Sequence, residues 1–173
     1  RNTGIFRACG SIIFFTDDDC EVPALWMEKM IWVYKENPEI VGVGGWYQPL
    51  FSVMKKNIYL YFFYLWYRFV YGDGLDFFEG RTREYSPFPA SNTANISYRK
   101  WALQKAGGFD TRFPYPGMED VELSERVQNS GYLMYYIPYH VTHHKKMSFL
   151  DFLKVCRNRG RANKIYREIK RLR

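Results

Sequence analysis

The sequence predicts an α/β domain built on a largely parallel or mixed central sheet. Short apolar runs alternate with helix-length amphipathic stretches, and the first of those runs ends directly in acids. The composition agrees: 47% hydrophobic and 25% charged residues over 173 positions suit one domain with a real core and exclude a disordered chain.

Ser11 to Thr16, SIIFFT, reads as a buried strand with a site at its C-terminal end. After Pro23 a helix runs to about Asn37, where Pro38 stops it. Ile40 to Trp46, IVGVGGW, reads as a second strand whose glycines mark close backbone approach. Ile58 to Tyr71 is apolar except for Arg68 and falls short of the roughly 20 residues of a membrane span. It reads either as a helix buried under the sheet or as an aromatic interfacial surface. A polar Gly/Pro loop follows from Gly72 to Pro89. NTANISY reads as a strand and RKWALQKAG as a short helix capped by Gly107. Gly117 precedes the helix EDVELSERVQNSG, which ends at Gly131, and LMYYI is a further strand. Ser148 and Asp151 form a capping-box start to a long final helix.

The net charge of +7 is uneven. From Val141 onward eleven Lys and Arg face two acids, a tail of +9, so the rest of the chain is slightly acidic. The tail divides the chain into a domain over residues 1–147 and a basic amphipathic helix over 148–173. Aromatic residues reach 20%, a richness that fills cores and also lines sugar sites and membrane interfaces. Cys9, Cys20 and Cys156 are odd in number and no pair has metal-ligand spacing, so they read as reduced thiols in a cytosolic setting. The chain shows no signal-peptide pattern and opens on Arg, not Met; the expectation is a piece of a longer protein.

Two constellations carry chemistry. Asp17, Asp19 and the intervening Asp18 follow the first strand directly, and adjacent carboxylates repel unless a cation sits among them. Such oxygen ligands suit Mg²⁺ or Mn²⁺. In an extended segment Asp17 and Asp19 point one way and Asp18 the other. A solvated acidic turn is the plainer reading, and a calcium loop fails because Val22 stands where that loop needs Gly. Glu119 and Asp120 open a helix, where the dipole and free N–H groups favour an ionised carboxylate able to accept a proton from a sugar hydroxyl.

In order along the chain, RNTGI, FFTDDDC, TANISYRKWALQKAGGFDTRF and GMEDVELSERVQNSGYLMYYIP resemble four blocks of the family 2 glycosyltransferases, which have the GT-A fold. The resemblance implies a partial, Rossmann-like three-layer fold without its first nucleotide-binding strands. It implies that Asp17 and Asp19 bind the divalent ion that holds the donor diphosphate, with Asp18 nearby. Asp120 would be the general base and Glu119 would position the acceptor. Asn95 and Arg99 would line the donor-sugar and acceptor region, and Gly107 to Asp110 would shape a turn. HVTHHKKMSF stands where many members carry a His near the metal, with the choice between His143 and His144 open. Arg157 and Arg161 fall in a cluster whose guanidinium groups suit phosphate oxygens.

The implied reaction is transfer of a sugar, with inversion, from a nucleotide-diphosphate sugar to a glycan or lipid-linked acceptor, as in cell-envelope polysaccharide synthesis. The 173-residue chain alone is expected to be inactive. The implied setting is cytoplasmic, with the final helix suited to an anionic membrane surface on the inner face. A nucleic-acid module using the basic tail would leave both acid groups unexplained, so no nucleic-acid partner is expected. The other alternative is an inactive remnant that only binds a partner or membrane.

Overall fold

The computed structural model describes residues 1–45, 47–49, 57–59, 61, 62, 65, 92–137, 139–144 and 147–172. The elements are α1 (Asn2–Arg7), β1 (Ile12–Phe15), β2 (Cys20–Glu21), α2 (Trp26–Glu36), β3 (Ile40–Gly44) and β4 (Tyr47–Pro49), then β5 (Ile96–Arg99), α3 (Lys100–Lys105), α4 (Glu119–Asn129), β6 (Leu133–Tyr136), β7 (Val141–His143) and α5 (Phe149–Arg171).

Four strands form a mixed sheet in the order β1-β5-β3-β6. β5 runs antiparallel to both neighbours, from Ile12 opposite Arg99 to Phe15 opposite Ile96 on one side and from Gly42 opposite Tyr98 to Gly44 opposite Ile96 on the other. In this sheet β3 and β6 are parallel. Of the two sheet types the sequence allows, largely parallel or mixed, the structure has the mixed one. An apolar run records burial but not direction, and 46 residues of sequence separate β4 from β5.

Strand alternation puts helices on both faces. Ile13 and Phe15 of β1, with Ile96 and Tyr98 of β5, pack against Ile5 of α1, Leu103 of α3 and Leu123 and Val127 of α4. Ile12 and Phe14 turn to the other face, against Trp26, Met30 and Val33 of α2. Ser97 faces the same way and meets the Tyr34 hydroxyl at 3.1 Å. At Gly42 a Cβ would stand 2.7 Å from Met134 Cε, so a larger residue would displace the end of that side chain.

A small second sheet, β2-β7-β4, was not foreseen. β7 is antiparallel to β2, with Cys20 opposite His143, and parallel to β4. Strands of two or three residues carry no readable period.

The Gly107–Gly108 pair adopts left-handed φ values of +80° and +71°. Asn2 closes this turn by donating to the Phe109 carbonyl and accepting from the Phe109 N–H, both at 2.8 Å. The Arg126 guanidinium braces the turn through the Ala106 and Gly108 carbonyls and pairs with the fully buried Glu122 carboxylate at 2.6 Å. The turn-shaping role expected of the Gly-Gly-Phe-Asp segment is what the geometry describes.

The Ser148–Asp151 capping box is present and starts α5. That helix, in which Ala162 and Ile169 are buried, meets α4 through a Tyr166 hydroxyl bonded to Glu125 and through Lys170 at 3.2 Å from the same carboxylate. Most of the run from Ile58 to Tyr71, and the loop from Gly72 to Pro89, lie outside the described residues. Ile58, Tyr61, Phe62 and Leu65 are helical and exposed, which favours the surface reading at those positions. Tyr59 meets Phe149 at the start of α5, ring centroids 5.5 Å apart. Among the described residues no helix is long and apolar enough to cross a membrane.

Candidate functional site

β1 ends in a tight turn rather than an extended segment: the Cys20 N–H donates to the Asp17 carbonyl at 3.1 Å. The turn still brings Asp17 and Asp19 together and leaves Asp18 exposed outside the group. The β2–β7 pairing then adds two residues from opposite strands. His143 Nε2 lies 2.9 Å from Asp19 Oδ1, and Asp17, Asp19, Cys20 and His143 each place a donor atom within 4.8 Å of the others. The turn is pinned from β7 by the His144 N–H, which donates to the Asp19 carbonyl at 2.8 Å. The His144 ring faces outward, 2.9 Å from the exposed Glu21. The His143 ring joins the acidic group and that of His144 does not.

Burial, reinforced by the charges of Asp17 and Asp19, pushes the Cys20 thiol up to about 11. Donor atoms around one divalent ion at about 2.1 Å are separated by at most about 4.2 Å. A spread of 4.8 Å is within a small side-chain adjustment of that value, so these residues fit such an ion.

The second group stands at the start of α4. Gly117 and Met118 both take left-handed φ, +128° and +78°, and this sharp entry aims Glu119 and Asp120 back toward the sheet. Buried Glu119 accepts the Gly117 N–H at 2.5 Å and binds the Arg1 guanidinium. Asp120 Oδ1 accepts the Val121 N–H at 2.9 Å, and the Thr93 backbone also bonds this carboxylate. Burial first, and the neighbouring Glu119 charge second, push Asp120 up to about 6. The helix start was expected to favour ionisation; burial outweighs it here.

Arg1 joins the two groups. Its guanidinium binds Glu119 and reaches to 4.0 Å from Asp17. The strand-end acids and the helix-start acids therefore lie on one side of the fold, at the same end of the sheet.

Of the other expected site residues, Asn95 stands at the end of β5 beside the strand-end acids and Arg99 at the opposite end. Asn95 is fully buried and its amide holds scaffold: it accepts from Trp26 Nε1 and donates to the Tyr139 carbonyl, each at 2.8 Å. Arg99 sits at the far end of β5 from the aspartates and clamps the Tyr34, Pro38 and Ile40 carbonyls. The structure does not bring Arg99 to the site. Arg157 is exposed on α5, and Arg161 lies 5.8 Å over the Tyr115 ring. The stem of Arg159 packs beside Gly117, so α5 crosses the approach to Glu119 and Asp120.

Sequence reasoning missed Arg1 as a bridge and Cys20 as a neighbour of the aspartates. Both left a local trace: Cys20 directly follows the acids, and Arg1 opens the RNTGI block.

The chain matches no family model. It is 27% identical over 125 residues to a glucosyl-dolichyl phosphate glucuronosyltransferase of Haloferax volcanii. The match covers 72% of this chain, and it spans 38% of the length of that relative. The likeness is to a glycosyltransferase, and the mixed sheet with helices on both faces is compatible with a partial Rossmann-like fold.

Proposed function

We propose that this chain is the metal-binding and acceptor-side part of an inverting GT-A glycosyltransferase of family 2. The donor is a nucleotide-diphosphate sugar and the acceptor a phosphate-linked lipid sugar or a glycan. The observation that carries this reading is the meeting of the two acid groups through Arg1. The acceptor class follows from the similarity to a glucosyl-dolichyl phosphate enzyme.

In this reading Asp17, Asp19 and His143 hold Mg²⁺ or Mn²⁺. A divalent ion at that position supplies Lewis-acid neutralisation of charge on the departing diphosphate. Asp120 removes the proton from the acceptor hydroxyl; a carboxyl titrating near 6 is ionised at neutral pH yet more basic than an ordinary aspartate. Glu119, fixed by Arg1 and the Gly117 N–H, positions the acceptor. Arg157, Arg159 and Arg161 on α5 offer cations to phosphate oxygens, and Asp18 stands at the rim toward the donor. The exposed aromatics near residues 58–65 and the basic face of α5 fit an anionic membrane surface at the cytoplasmic side.

The test is Mn²⁺-dependent transfer from a panel of nucleotide sugars to a glycosylated polyprenyl phosphate, assayed in the full-length product of the gene. Transfer that Asp120→Asn abolishes while Mn²⁺ binding persists supports the proposal. Mn²⁺ binding without transfer from any donor would support the non-catalytic alternative instead.

A further inference from the structure

We propose that Cys20 is a fourth donor at the strand-end group, making it a site for thiophilic divalent ions such as Zn²⁺, Cd²⁺ and Co²⁺. Three features place the thiol there. Cys20 and His143 are direct cross-strand partners in the antiparallel β2–β7 pair, so their side chains share a face about 5 Å apart at Cβ. The Asp17–Cys20 turn folds the chain so that the Asp17 carboxylate reaches the same point. The resulting group is mixed: one sulfur, one imidazole and two carboxylates, all donor atoms within 4.8 Å.

The donor chemistry sorts metals. Carboxylate and imidazole serve Mg²⁺ and Mn²⁺, whereas a thiolate selects softer ions, and Zn²⁺ outranks Mn²⁺ on any such donor set. Zinc bound at about 2.3 Å to sulfur and about 2.0 Å to nitrogen and oxygen takes four ligands as a closed tetrahedron. The thiol proton leaves to solvent when the metal–sulfur bond forms. A closed four-ligand site has no position left for a diphosphate oxygen. Zinc at this group is therefore an inhibitor, competing with the activating ion. That last consequence, unlike the ligand set, rests on the proposed glycosyltransferase reading.

The experiment is titration of the purified chain with Cd²⁺ and Co²⁺, followed by the near-ultraviolet thiolate-to-metal charge-transfer band. Mn²⁺ binding is followed in parallel by electron paramagnetic resonance. We expect the band in wild type and in a Cys9→Ser/Cys156→Ser double variant, and its loss in both Cys20→Ser and Cys20→Ala. Cd²⁺ affinity should fall about 10- to 100-fold in these two variants, with Mn²⁺ affinity held within about threefold. Circular dichroism confirms that each variant is folded. Cd²⁺ binding of equal strength in wild type and Cys20→Ser, or a band surviving in Cys20→Ala, overturns the proposal. Absence of Mn²⁺ binding with the Cys20-dependent band present would overturn the activating-metal reading alone and leave this proposal supported.

Discussion

The two acid groups of this molecule share a chemical type and differ in everything around it. Asp17 and Asp19 stand at a partly open strand end, beside an imidazole and a thiol that come from opposite strands. Glu119 and Asp120 stand at a helix entry, one buried and bonded to Arg1, the other pushed up to about 6 by burial. Carboxylates that keep solvent access and gather neutral donors suit a cation. A carboxyl that burial makes reluctant to ionise suits proton transfer. Environment, rather than residue type, separates the two proposed roles, and Arg1 touches both groups.

The largest expected effect separates those roles directly. Asp120→Asn should lower transfer about 10²- to 10⁴-fold, the usual range for a lost general base, while Mn²⁺ affinity stays unchanged. Asp17→Asn should show the reverse dependence, with Mn²⁺ affinity lost first and activity recovering at raised metal. If Asp120→Asn weakened the metal as much as Asp17→Asn does, the division of labour would collapse. Asp120→Asn also carries a stability signature. The folded-state pKa is raised above 3.8, so the folded chain holds this proton more tightly than the unfolded chain does. That contribution is full below about pH 4 and is lost as pH rises through about 6. Above that pH the neutral amide should raise Tm, as thermal melts at pH 7.5 would record.

A second effect concerns the helix that carries one group. Glu122 is fully buried and its charge is matched by Arg126, which also braces the Gly107–Gly108 turn. Arg126→Ala leaves that carboxylate buried without its cation, at a cost of about 3 to 5 kcal/mol. Denaturant melts should show it. The strand-end group should be less disturbed, so Cd²⁺ binding in the surviving folded fraction should persist.

His143→Ala should weaken Mn²⁺ by at least about tenfold, since it removes a donor and the partner of Asp19. Arg1→Ala probes the link between the groups. Arg1 pulls the Asp120 carboxyl down against burial, so its loss should move the acid limb of the pH–rate profile upward from about pH 6. The limb rises with pH because the ionised carboxylate is the active form. A merely structural Arg1 would change stability and leave that limb in place.

Much of this comparison was legible in the sequence, and the limits are physical. The apolar run ending in aspartates, the Pro-bounded α2, and the Ser148–Asp151 box each encode structure within a few residues, and each was found at or near the expected position. The direction of β5 and the β2–β7–β4 sheet depend on pairing over 50 to 120 residues, which no local pattern records. The bend after β1 was read as extended, since three aspartates in a row carry no sign of the Asp17–Cys20 turn. The segment of Asn95 resembles a functional block, which places the residue along the donor-sugar and acceptor region; its burial and its bonds to Trp26 and Tyr139 become visible only in three dimensions.

The smallest expected effect is the most discriminating for the strand-end group, because it contrasts adjacent residues of one type. His144 contributes to the site through its backbone N–H, which any residue but proline would supply, and its ring meets only an exposed Glu21 among the contacts seen. Exposed pairs of this kind contribute about 0 to 1 kcal/mol. His144→Ala should therefore leave Mn²⁺ and Cd²⁺ affinity within about twofold and shift Tm only slightly, against the much larger loss in His143→Ala. A larger loss in His144→Ala than in His143→Ala would mean that β7 slips by a residue relative to β2. A one-residue slip exchanges every side chain between the two faces of the strand. It would carry His144 toward the aspartates and take Cys20 away from its partner.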